Sequence, residues 1–251
     1  MLYSNAKVGA REQLFIHRQT WKEKPALSYY YTEAFFKRIK ASCKNGTILE
    51  VGSGPGFLKD FWKNILATDV VCMPWLDAVC NCEKMPFRDS VFDNLILIDV
   101  FHHLGSPARF FEETNRVRKP GGKIIMIEPW ITPLSYIFWR YVHHEQCERV
   151  PDPWLGLYRW GKRPFDGNAY VPYQCFCKKN RASFSVRWPN LKLEAIDLLG
   201  VFVYPLTGGF QPGLGIKDEG IIKKLIKLEN IIEKIFSPIF AMRAMIKLEK
   251  L

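Results

Sequence analysis

The chain has 251 residues, 48% apolar and 24% charged, with 36 Lys and Arg against 25 Asp and Glu for a formal charge of +11. That balance excludes a disordered or low-complexity chain, and no apolar run reaches the roughly 18 residues a membrane-spanning helix needs. Seven scattered cysteines, an odd count, fit reduced thiols, and Met1-Leu2-Tyr3-Ser4-Asn5 does not open a signal peptide, so a cytoplasmic chain is expected.

Apolar periodicity predicts helices over Glu12–Thr20 and Tyr29–Ser42. A strand over Thr47–Val51 then runs into Glu50-Val51-Gly52-Ser53-Gly54-Pro55-Gly56 and a helix from Phe57 to Trp62. Glycines at alternate positions let the backbone turn tightly and approach a ligand without a Cβ in the way. The spacing Gly52-x-Gly54-x-Gly56 is not the Gly-x-Gly-x-x-Gly of dinucleotide enzymes, and Glu50 at the mouth of the turn would repel a pyrophosphate. A carboxylate there suits an ammonium or sulfonium charge; S-adenosylmethionine carries both. Asp69 ends a second strand, Ala67–Val71, about 20 residues on, where a carboxylate takes ribose hydroxyls.

Further strands are expected over Ala78–Cys80, Leu95–Asp99, Lys123–Glu128, Leu191–Tyr204 and Ala244–Lys250. A helix over Arg109–Arg118 places Phe110, Phe111, Thr114 and Val117 on one face and is stopped by Lys119-Pro120-Gly121-Gly122. Trp130–Trp188 holds five tryptophans among many Tyr, Phe and Pro residues. Placed after the fifth strand, it is expected to supply large apolar walls for an acceptor, or else a second small core. Thr207–Pro238 carries another helix, Asp218–Ile235.

In order and spacing, Asn81–Asp89, Val91–Leu104, Glu113, Arg116-Val117, Lys119–Gly122, Ile124–Ile127 and Glu128-Pro129 resemble the class I S-adenosylmethionine-dependent methyltransferases of the type 11 group, which includes quinone-ring methylases. Glu128–Ser135, His143-His144-Glu145 and Tyr204–Phe210 are similar to a bacterial branch of that group. The resemblance implies an α/β fold: a doubly wound, mostly parallel seven-stranded sheet whose final strand is antiparallel, with lid-like insertions. One methyltransferase domain would span 1–251: a helical cap (1–46), a cofactor-binding core (47–130), an aromatic-rich insertion (131–190) and the last strands with a helical insertion (191–251, insertion 207–238). The cofactor set is Glu50, Gly52, Ser53, Gly54, Gly56, Asp69, Asn81, Cys82, Asp99 and Val100. Asn81 replaces the usual Asp at the adenine position; its amide oxygen can still accept from the adenine amino group. The stretch from Asp69 to Asn81 is too short for a crossover helix, and Met73-Pro74-Trp75 suggests a tight irregular link.

Methyl transfer from a sulfonium is an in-line displacement, so alignment and water exclusion dominate. His103, with His102, follows the fourth strand at the ligand edge and is the candidate base or orienting group; His143 and His144 are reserves. His143-His144-Glu145 with Cys147 lacks a second group of ligands, so no metal site is expected, and Cys80, Cys82, Cys175 and Cys177 read as buried thiols. The acceptor is expected to be a small molecule, lipid- or glycan-linked. A non-catalytic S-adenosylmethionine-binding regulator or partner subunit is the alternative. Basic residues are spread out, without a nucleic-acid-binding signature. Ile221–Leu228 alternates apolar and basic residues, which fits either contact with an anionic membrane or a helix packed on the body with its lysines in water. The sequence leaves the oligomeric state open.

Overall fold

The computed structural model describes residues 9–143, 145–155, 166–211 and 213–251. The chain opens with α1 (Ala10–Glu23) and α2 (Pro25–Tyr31), then a π turn (Thr32–Phe36) that runs straight into α3 (Lys37–Ser42). Pro25 starts α2 at the first helical position, where its missing N–H costs nothing, so the expected Tyr29 helix begins earlier. Seven strands follow: β1 (Ile48–Val51), β2 (Leu66–Asp69), β3 (Ala78–Val79), β4 (Phe92–Ile98), β5 (Arg118–Pro129), β6 (Leu191–Leu199) and β7 (Arg243–Lys250). Between them lie α4 (Phe57–Phe61), α5 (Pro107–Val117), α6 (Pro133–Tyr141), α7 (Val171–Phe176), α8 (Arg181–Arg187), α9 (Val203–Leu206) and α10 (Glu219–Phe240). The strands form one sheet in the order β3-β2-β1-β4-β5-β7-β6. β1 to β5 pair in parallel, and β7 inserts antiparallel between β5 and β6, as the resemblance implied.

Strand period places successive residues on opposite faces, and both faces are covered. Leu49, Val51, Leu95, Leu97, Ile124 and Met126 pack with Phe110 and Phe111 of α5, Phe176 of α7 and Phe184 of α8. Ile48, Ile96, Ile125 and Ile127 pack on the other face against Tyr30, Phe35 and Ile39, with Ile222 and Ile226 of α10. This alternation makes the strands read as nearly continuous apolar runs, and it buries a core on each side of the sheet.

Three expectations change. β5 begins at Arg118 rather than Lys123, because Arg118 pairs with Phe92 across a bulge and Gly121 takes φ +69° inside the strand. β6 ends at Leu199: Gly200 turns at φ +65°, and Glu229 of α10 accepts the N–H groups of Val201, Phe202 and Val203 at 2.7–2.8 Å, folding the next residues into α9. The tryptophans described in the aromatic insertion build core, its alternative reading, while Leu134 and Phe138 of the same stretch line a groove. Trp154, Phe176, Phe184 and Trp188 pack tilted or edge-on against Phe111 at ring separations of 5.3–6.2 Å, and Trp130 and Trp139 are buried. Trp160 lies outside the described residues. Among those described, no helix is long and apolar enough to cross a membrane.

Candidate active site

The glycine turn joins β1 to α4 at the carboxyl edge of the parallel strands. Gly52, Gly54 and Gly56 hold φ of +66°, +49° and +75°, which side chains with a Cβ rarely adopt. A Cβ on Gly52 would lie 2.5 Å from Val100, and one on Gly56 would lie 2.6 Å from Trp75. The neighbouring strand fastens the turn: Asp69 accepts the Gly54 N–H at 2.8 Å and the Val71 N–H at 2.9 Å, and Ser53 N–H donates to Thr68 O at 2.9 Å. From outside, Trp75 Nε1 donates to Gly54 O at 2.9 Å; Arg18 of α1 donates to Pro55 O, pairs with Asp60 at 3.0 Å and lies over the Trp75 ring. Trp75 sits on the irregular link between β2 and β3, where Cys72 is exposed. That link was expected; the grip of Trp75 and Arg18 on the turn was not, because neither carries a motif.

Glu50 is 3% exposed, and its Oε2 has no hydrogen-bond partner among the described residues. Burial pushes its carboxyl up to about 8, against the lowering effect of the Ser53 hydroxyl. Asn81 is exposed, and its side-chain oxygen accepts the Glu83 N–H at 2.8 Å, leaving one lone pair for another donor. Cys82 is buried, its thiol pushed up to about 12 by burial. Asp99 ends β4 at φ +56°, paired with Arg243, whose guanidinium lies over the Tyr204 ring.

After Asp99 the backbone is organised by Glu128, fully buried at the end of β5. Its carboxylate accepts the N–H groups of Val100 at 2.9 Å and Phe101 at 2.7 Å, and meets His102 Nδ1 at 2.6 Å. His102 Nε2 lies 3.2 Å from Glu145. Burial alone would lower the His102 pKa, yet the charges of Glu145 and Glu128 carry it up to about 10. Both His102 nitrogens thus face carboxylates, which leaves neither open toward an acceptor as the expected base would need. Burial and the charge on His102 push His103 down to about 4, so that ring is neutral. Its Nδ1 is 3.2 Å from the carbonyl of Asp166. His143 Nδ1 accepts the Glu145 N–H at 3.4 Å and lies 3.9 Å from the Glu145 carboxylate, with its ring against Trp139; His144 lies outside the described residues. Glu145 and Glu128 were missed as partners because 26 and 43 residues of sequence separation hide them from local pattern.

Residues 49–126 match a family model described as a methyltransferase domain. Over that stretch, from β1 into β5, the chain is similar to methyltransferase domains. A ubiquinone/menaquinone biosynthesis C-methyltransferase of Bordetella avium is 39% identical to this chain over 51 residues, 20% of each chain. A protein of Mycolicibacterium smegmatis described as a "Probable S-adenosylmethionine-dependent methyltransferase" is 25% identical over 112 residues, 39% of this chain and 43% of that one. The match thus spans less than half the length of these curated relatives. Among solved structures, an S-adenosylmethionine-dependent methyltransferase from Aquifex aeolicus shares 16% identity over 73% of this chain and 93% of that chain, with a TM-score of 0.44. S-adenosylmethionine is the methyl donor of the family. The residues of this chain are compatible with it: three left-handed glycines open the backbone, and a buried carboxyl oxygen of Glu50 at the turn has no hydrogen-bond partner among the described residues.

Proposed function

We propose that the protein transfers the methyl group of S-adenosylmethionine to a small, apolar, lipid-linked acceptor. The observation that carries the donor half is Glu50, a buried carboxylate with an unpartnered oxygen beside the Gly52–Gly56 turn. There the α-ammonium of the donor's methionine portion would replace the missing partner. Asp69, already holding Gly54 with Oδ2, is the nearest carboxylate for the ribose; Asn81 and Cys82 would border the adenine. Ser53 shapes the turn, and Gly52 packs on Val100 beside Asp99. When bound, the cofactor supplies an activated methyl, so this chain's residues need to orient the acceptor and keep water out. Among the described histidines, His103 near the same edge is the candidate for orienting an acceptor hydroxyl whenever no cation holds its Nε2.

An apolar groove of about 310 Å³ supports the lipid-linked acceptor. Leu134, Phe138, Phe202, Leu206, Phe240 and Met242 line it, after the carboxyl ends of β5 and β6 and ahead of β7, on the edge where the glycine turn lies. Beside it α10 bears two apolar faces. Ile222 and Ile226 are buried on the body, whereas Leu228, Ile231, Ile235 and Ile239 form an exposed stripe flanked by Lys223, Lys227 and Lys234. Exposed Ile137 and Tyr141 of the neighbouring α6 add to this face. An apolar stripe edged with lysines matches an anionic lipid surface, from which an acyl-linked acceptor would reach the groove.

Titration calorimetry with S-adenosylhomocysteine on wild type and Asp69→Ala tests the donor half; no binding by wild type would overturn it. Transfer of labelled methyl from S-adenosylmethionine into a lipid extract tests the acceptor. Label in water-soluble glycans would redirect the acceptor assignment, and binding with no transfer to any extract would favour the non-catalytic regulator.

A further inference from the structure

Side chains from three distant stretches converge past the carboxyl ends of β4 and β5. His102 and His103 lie on the turn after β4, and Glu145 follows α6. Each ring is oriented by its Nδ1: that of His102 is 2.6 Å from the Glu128 carboxylate, and that of His103 is 3.2 Å from the Asp166 carbonyl. A carbonyl only accepts, so His103 carries its proton on Nδ1 and presents a lone pair at Nε2. That lone pair faces Glu145 Oε1 at 3.7 Å, and His102 Nε2 lies 3.2 Å from Glu145 Oε2. One donor atom from each of the three residues lies within 4.8 Å of the others. An electron-rich nitrogen facing a carboxylate in a mostly buried place is stabilised by a cation between them.

We propose that His102 Nε2, His103 Nε2 and Glu145 form a binding site for a divalent d-block cation of the Zn²⁺ type. Metal bonds of about 2.0–2.1 Å in a tetrahedron separate neighbouring donor atoms by about 3.3 Å. His102 Nε2 lies 3.2 Å from one Glu145 oxygen and His103 Nε2 lies 3.7 Å from the other, so closing the site requires the carboxylate to turn and the rings to draw in. Two imidazoles and one carboxylate leave a fourth position for water, the donor pattern of open zinc sites. The surroundings are those that metal-ligating histidines use: a carboxylate behind one ring and a backbone carbonyl behind the other, each fixing Nδ1 as donor. Imidazole and carboxylate together favour Zn²⁺ over Mg²⁺ or Ca²⁺, which prefer all-oxygen shells. The bound ion also ties the segment after α6 to the turn after β4. The sequence hid this site because the group that completes His143-His144-Glu145 is supplied from the turn at His102-His103.

The test uses the full chain, stripped with chelator and titrated with Co²⁺ and then Zn²⁺. The expected result is one equivalent of Co²⁺ with a nitrogen–oxygen ligand spectrum, displaced by Zn²⁺. Zn²⁺ affinity should fall about 10²-fold or more in Glu145→Gln and in His103→Ala, and about 10–100-fold in Glu128→Gln. Circular dichroism checks that each variant folds, and the wild-type titration stands without them. Three results would overturn the site: no stoichiometric uptake, thiolate charge-transfer bands showing that cysteines take the ion, or unchanged affinity in both Glu145→Gln and His103→Ala. The wild-type protein would then hold this cluster with a proton alone. Metal uptake is read without methyl transfer, so its failure leaves the donor assignment untouched.

Discussion

Glu50 is costly to bury and useful once a ligand arrives. In the unfolded chain its carboxyl titrates near 4.5, whereas burial in the fold raises it to about 8. The folded state holds that proton more tightly, so stability falls as pH rises from about 4.5 to about 8 and this contribution is not regained above. Glu50→Gln keeps the shape and removes the ionisation. Thermal melting should show wild type losing ground to Glu50→Gln across this window, while calorimetry shows the variant binding S-adenosylhomocysteine about 10–100-fold more weakly. A constant difference in Tm between the two proteins from about pH 5 to about pH 8 would contradict the burial argument. Gly56→Ala acts by a different route: its Cβ would lie 2.6 Å from Trp75, at a φ that favours glycine. We expect a loss of about 1–3 kcal/mol in urea unfolding. These positions were legible because Glu50 and the alternate glycines are one contiguous motif. The surroundings of His102 were hidden for the opposite reason: the two carboxylates that face its ring arrive from β5 and from beyond α6.

At the scale of elements, the parallel strands were readable because each is apolar on both faces, while their ends depended on distant groups. Nothing near Leu199 announces that Glu229, on another helix, will gather three backbone N–H groups and fold the chain into α9. Replacing Glu229 with Ala leaves those donors without their acceptor, at about 1–3 kcal/mol for each that finds no water. Hydrogen exchange should speed up across Val201–Leu206 before the sheet is affected; protection equal to wild type there would show that the carboxylate is dispensable. The second face of α10 was half visible: the alternation of apolar and basic residues was plain, but which isoleucines the body would cover was not. Ile231→Lys with Ile235→Lys places charges in the exposed stripe, away from Ile222 and Ile226. The double variant should lose flotation with anionic vesicles and keep its Tm within a few degrees. Undiminished flotation would detach α10 from any lipid surface.

Over the whole molecule, the charge of +11 works at longer range than any single lysine. If attraction to anionic lipid adds to apolar insertion, vesicle binding should weaken as salt rises from about 0.1 to about 1 M, where screening shortens from about 10 to about 3 Å. Binding that ignores salt would assign the contact to the apolar stripe alone, and a wild type that self-associates instead of floating would make the stripe an interface between copies. The same view explains why the aromatic insertion was only partly readable. Its rings are as suited to walling a ligand as to filling a core, and only the placement of α7 and α8 over α5 shows Trp154 and Trp188 filling one.

The brevity of the link between β2 and β3 has a practical consequence. Cys72 stands exposed three positions from the tryptophan that holds the glycine turn, while the other six cysteines are buried or half-buried. The protein therefore carries its own attachment point for a thiol-reactive dye at the rim of the donor site. Labelling of Cys72 by a bulky maleimide, followed by peptide mass spectrometry, should slow when S-adenosylhomocysteine is present. Equal rates with and without it would mean that this rim does not sense the ligand.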